Sequence, residues 1–82
     1  MTKKIIDKNF ALSASFTEYA VKNPKITKRL SKNACVIFTD KTDPRLTKEN
    51  MKLAREIKRG GENCFRAVKD GRTWTIEPIL TN

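Results

Sequence analysis

Apolar positions recur at two different periods along this chain, and each change of period marks an element. Between Ile6 and Lys22, Phe10, Leu12, Phe16, Tyr19 and Ala20 fall at helical spacing, with Leu12, Phe16 and Tyr19 on one stripe. The pattern predicts a first helix with Asp7 as its candidate N-cap. Asn23-Pro24 stops it, because a residue that precedes proline is pushed out of the helical region. The same pair suits the start of a second, short helix, with Asn23 capping and Pro24 at the first helical position. That helix is expected to end near Ser31, with Ile26 and Leu30 on its inner side.

From Ala34 to Thr39 the period shortens. "ACVIFT" is apolar on both sides and rich in β-formers, as expected of a strand covered on each face. After an acidic loop, Leu53, Ala54 and Ile57 mark the inner face of a third helix. Thr47 is placed to cap it, and Leu46 and Met51 hold the positions of a hydrophobic staple. Gly60-Gly61 follows as a left-handed stop. "NCFRAVKDGRTWTIEP" then alternates around Asp70-Gly71, a two-residue hairpin turn signal. With that turn, Ala67 faces Trp74 and Phe65 faces Ile76, which places Trp74 in the core. Arg66, Thr73, Thr75 and Glu77 lie on the other face, and Pro78 ends the strand or marks an edge.

The element order is therefore α-α-β-α-β-β in one small α/β (α+β) domain spanning residues 1–82. The expected architecture is a three-stranded mixed sheet with helices mainly on one face. The pattern does not decide whether the first strand pairs with the second or the third. A sheet covered on one face leaves Cys64, Val68 and the outer side of the first strand exposed. From this a homodimer through sheet faces or edge strands is expected.

Composition adds charge to this picture. The 82 residues carry a net charge of +9, which attracts polyanions without bearing on the fold. No apolar run follows the basic residues of MTKKIIDKNF and no segment is long enough to span a bilayer. A cytoplasmic protein with no membrane partner is expected. Cys35 and Cys64 lie within predicted strands and are expected to be buried thiols in a reducing cytosol.

Candidate chemistry is concentrated in the loop after the first strand, where open α/β sheets bind ligands. Asp40 and Asp43 are the residue types that hold magnesium or act as a nucleophile. The chain has no His, no glycine-rich phosphate loop and no Ser with a base to activate it. Without those supporting groups the two acids are expected to be turn residues. No catalytic residue, metal site or cofactor is assigned, and an enzyme is not expected.

The basic residues form a stronger pattern. Lys48, Lys52, Arg55 and Arg59 are spaced four, three and four apart, so they line one helix face opposite Leu53, Ala54 and Ile57. Lys25, Lys28, Arg29 and Lys32 repeat the theme around Ile26 and Leu30. Such faces fit contact with a phosphate backbone, or are simply solvated. They lack the interleaved Asn and Gln of a base-reading helix, so any nucleic-acid binding is expected to be non-specific.

The runs "ALSASFTEYAVKNPKITKRL" and "ACVIFTDKTDPRLTKENMKLA" resemble a small prokaryotic family catalogued only as a domain of unknown function. The shared pattern covers about Asn9 to Ala67. Its most specific parts are Asn23-Pro24, Val36-Ile37-Phe38, Asp43-Pro44 with Leu46, and Asn50 with Leu53-Ala54. The resemblance implies no activity, cofactor or partner. That family commonly has acidic residues around the positions of Lys25, Lys28 and Lys48, so the positive charge is expected to be peculiar to this chain. Two function classes stand. One is a non-catalytic module that contacts nucleic acid through its basic helices. The other is a protein-interaction module, such as a partner subunit or a toxin–antitoxin-like component, with the charge incidental and its partner unidentified.

Overall fold

The computed structural model describes residues 2–30, 34–58 and 63–79. Helix α1 spans Lys3–Lys22 and strand β1 Cys35–Asp40. Helix α2 spans Pro44–Lys58, and strands β2 and β3 span Cys64–Asp70 and Thr73–Pro78. The second predicted helix is a turn at residues 24–26 followed by one 3-10 turn, Thr27–Arg29. With that turn as the second helical piece, the order is α-α-β-α-β-β around a three-stranded mixed sheet, an α+β fold. Leu30 takes extended backbone, which stops the turn from growing into a helix.

Strand β2 lies in the middle. It pairs parallel with β1 and antiparallel with β3. The hairpin register differs by two residues from expectation, with Ala67 opposite Ile76 and Lys69 opposite Trp74. The turn is made by Gly71-Arg72, not Asp70-Gly71. Gly71 takes φ +62° at the first turn position, where both common two-residue hairpin turns need a left-handed residue. Asp70 thereby stays in the ladder opposite Thr73, whose hydroxyl donates to the Asp70 carbonyl at 3.0 Å.

The helix caps also differ from expectation. Thr2, not Asp7, starts α1, and its hydroxyl accepts from the Ile5 N–H. Asp43 caps α2 by accepting from the Leu46 N–H at 3.1 Å, with Pro44 in the first helical position. Thr47 therefore lies inside the helix, and Leu46 and Met51 join separate clusters instead of stapling. The Gly60-Gly61 stop lies outside the described residues.

Two apolar clusters occupy the two sides of the sheet. Ile5, Leu12, Phe16 and Ala20 of α1 pack with Leu46, Ala67, Trp74 and Ile76 on one face. Phe16, Phe38 and Trp74 meet there with ring centroids 5.3–6.0 Å apart. Each such aromatic contact adds about 1 kcal/mol beyond its buried area. The Trp74 side chain is 4% exposed, as expected of a core residue. On the other side, Ala54, Met51 and Ile57 of α2 pack against Ile37, Cys64 and Ile79. Helix cover is thus confined to one face only along β3, where Thr73, Thr75 and Glu77 are exposed. Cys64 and Val68, expected to be open for dimerisation, are buried at 2% and 7% exposure.

Polar side chains join α2 to the free edge of β1. The amide of Asn50 donates to the Phe38 carbonyl at 2.7 Å and exchanges hydrogen bonds with the amide of Asn9 on α1. The Thr47 hydroxyl accepts from the Asp40 N–H and donates to the Asp40 carbonyl. Two helices and the strand edge are tied through these contacts.

Candidate nucleic-acid interface

The acidic loop lies at the carboxyl end of β1, beside Lys8 and Leu12 of α1 and Lys69 of β2. Both of its carboxylates are occupied by local structure. One Asp40 oxygen accepts from the Thr42 N–H at 2.9 Å and from the Thr42 hydroxyl at 2.7 Å. Burial pushes the Asp40 carboxyl up. The two Thr42 hydrogen bonds and the positive charges of Lys69 and Lys8 outweigh it, holding the group below the usual carboxylate range. One Asp43 oxygen caps α2 and the other pairs with the Lys8 ammonium. Such an arrangement fixes a loop, with both Asp43 oxygens and one Asp40 oxygen taken by protein donors. Among the described residues, no three Asp, Glu, His or Cys side chains are grouped to hold a metal ion.

The basic faces are built differently. The inner side of α2 carries Leu46, Asn50 and Ala54, with 1%, 2% and 0% exposure. Helical periodicity then turns Lys48, Lys52 and Arg55 to the opposite side, and all three are exposed. Lys25, Lys28 and Arg29 are also exposed, around half-buried Ile26 and Leu30. Among the described residues, no carboxylate lies within ion-pair distance of these six cations. The two groups occupy separate elements, one on α2 and one on the 24–30 segment. Arg59 and Lys32, assigned to the same faces, lie outside the described residues.

A third surface went unnoticed in the sequence. Ile6 and Phe10 on α1 are 43% and 73% exposed, and beside Asn9 and Ser13 they form a shallow apolar patch. Phe10 is four residues from Ile6 and lies across the helix from the Leu12–Phe16 stripe. Its offset from that stripe was the available signal.

Fold and surfaces together define a small α+β domain with one amphipathic, basic helix beside its sheet edge. The chain matches a family of unknown function, DUF5647, over residues 4–76, and it belongs to that family. No curated protein and no solved structure matches it. No helix among the described residues is long and apolar enough to cross a membrane.

Proposed function

We propose that this protein is a non-catalytic binding module of the cytoplasm that contacts nucleic acid through the basic outer faces of α2 and the 24–30 segment. The observation that carries this is the exposed row of Lys48, Lys52 and Arg55, with no carboxylate partner among the described residues. The row covers about 10 Å of helix axis at 1.5 Å per residue. That length matches about three nucleotides of one strand at roughly 3.4 Å each. Charges at this spacing neutralise phosphates and release counterions without reading bases, so affinity should be indifferent to sequence. Titrating a labelled random-sequence oligonucleotide between 50 and 200 mM salt tests the proposal, over the range in which such binding falls steeply. With three phosphates neutralised, log affinity should fall against log salt with a slope of about −2 to −3. Reversing Lys52 and Arg55 to Glu should weaken binding and flatten the slope. Affinity and slope unchanged in that double variant would overturn the proposal.

The exposed Ile6–Phe10 patch favours a second role, a protein-interaction module such as a partner subunit or toxin–antitoxin-like component. Capture from the native host with and without nuclease separates the two. Partners lost on nuclease treatment support nucleic acid, and partners retained unless Phe10 is replaced by Ser support the apolar patch.

A further inference from the structure

Cys35 and Cys64 are far apart in sequence but adjacent in the sheet. They open β1 and β2, and the parallel register pairs them directly. Directly paired residues of parallel strands project to the same face, so both side chains enter the cluster that α2 covers with Ala54. Neighbouring strands lie about 4.8 Å apart. This falls within the Cα separations of roughly 4.4–6.8 Å that disulfides span. Both side chains are thiols. Cys64 is buried at 2% exposure, whereas Cys35 is half-buried. The ladder holds the pair in place: the Cys35 N–H donates to the Asn63 carbonyl and the Ile79 N–H to the Cys64 carbonyl, each at 2.9 Å.

We propose that Cys35 and Cys64 form a dithiol site that closes to an intramolecular disulfide by exchange with a small disulfide of the glutathione class. Cys35 is the attacking residue because solvent reaches it. Its thiolate attacks one sulfur of the oxidant, forming a mixed disulfide and releasing one small thiolate. Cys64 loses its proton to solvent and attacks the Cys35 sulfur. The protein disulfide forms as the second small thiolate leaves. Two protein thiols are oxidised by two electrons, and one oxidant disulfide is reduced to two thiols. Closure requires the two Cβ atoms to draw within about 3.5–4.5 Å, slightly less than the strand spacing. Cys35, as the first residue of its strand, is placed to make that movement. The product ties β1 to β2 around the whole of α2, which restricts the unfolded chain and should raise thermal stability.

The test is incubation of the reduced full chain with oxidised glutathione, followed by intact mass, thiol titration and thermal melting. The expected product is a single chain that has lost two hydrogens and both titratable thiols. Its Tm should exceed that of the reduced protein, and dithiothreitol should reverse the change. Cys64→Ser should stop at a glutathione adduct on Cys35, and folded Cys35→Ser should leave Cys64 unreacted. Wild-type protein that keeps both thiols, halts at the adduct or links two chains would overturn the proposal. That wild-type readout holds even if a serine variant folds poorly.

Discussion

The two edges of the sheet are closed by different means. At β1, the Cys35 and Lys41 N–H groups donate to Asn63 and Lys69 beyond the ends of the ladder, so the backbones of Phe38 and Asp40 point away from β2. A helix lies against that edge, and at the Phe38 carbonyl and the Asp40 backbone Asn50 and Thr47 supply hydrogen bonds of the kind a further strand would have made. At β3, the Ile79 N–H donates to Cys64, so Trp74, Ile76 and Pro78 present their backbones outward. There the closing device is a proline, which has no N–H to offer, beside the exposed polar residues Thr73, Thr75 and Glu77. An edge beside a helix is sealed by side-chain amides and hydroxyls. The solvent edge relies on what it withholds.

If that contrast is right, the largest loss of stability should come from Asn50. Asn50→Ala removes the donor to the half-buried Phe38 carbonyl and both hydrogen bonds exchanged with the Asn9 amide. The cost should be on the order of 3 kcal/mol. In a domain of this size it should lower Tm by more than about 10 °C. Asn9→Ala should cost less, because the bond to Phe38 survives. Equal losses in the two variants would mean that the amide pair, not the strand edge, sets the energy. Thr47→Val keeps the shape of the side chain and removes both bonds to Asp40. It should cost about 1–2 kcal/mol. It should also speed hydrogen exchange at the Asp40 amide, and unchanged exchange there would remove Thr47 from the seal.

The same residues separate what was legible in the sequence from what was not. Leu12, Phe16 and Trp74 were readable as core, because burial of one face imposes a period that survives in the sequence. Strand and helix positions followed for the same reason. Thr47 was misplaced as a cap because a hydroxyl near a helix start is locally suited to capping. Its real partner is the Asp40 backbone, which depends on β1 being an edge. The Asp70-Gly71 signal located the hairpin, while register turned on Asp70 remaining in the ladder. The Cys35–Cys64 pairing was hidden because strand order was undetermined. The basic residues of α2 were legible as an outward face, since helical period alone separates them from Leu46, Asn50 and Ala54.

A smaller effect is expected from the Asp40 side chain, which fixes the loop leaving the sealed edge. Its pKa is lowered in the folded protein by the Thr42 hydrogen bonds and by Lys69 and Lys8, against the opposing push of burial. A carboxyl depressed on folding stabilises the native state at pH values above its unfolded pKa, about 3.9. The contribution is lost as pH falls through the folded value. Asp40→Asn should therefore be less stable than wild type by a constant amount from about pH 7 to 5, and the two should converge below about pH 4. Urea denaturation across that range checks it. A difference that persists undiminished in acid would assign the effect to geometry instead of charge.

The smallest effect is expected at β3, where the contrast with β1 is most exposed to test. Thr75 is exposed and sits beside the Arg66–Glu77 ion pair on the polar face. Thr75→Lys removes no buried contact, so it should change stability by no more than about 0.5 kcal/mol. Its informative readout is association. Burial of Cys64 and Val68 removes the apolar sheet face from which a homodimer was expected, and the β3 edge is the strand edge that such a dimer would use. Within β3 the outward N–H groups are those of Trp74 and Ile76, before Pro78 interrupts the row. A contact that short falls well below the roughly 1,000 Å² expected of a stable interface. The electrostatic repulsion of two chains of net charge +9 opposes it further. Sedimentation at micromolar concentration in moderate salt should give the 9.4 kDa mass of one chain for wild type and variant alike. A wild-type dimer abolished by Thr75→Lys would instead make β3 an interface, and proline would no longer account for the way that edge is closed.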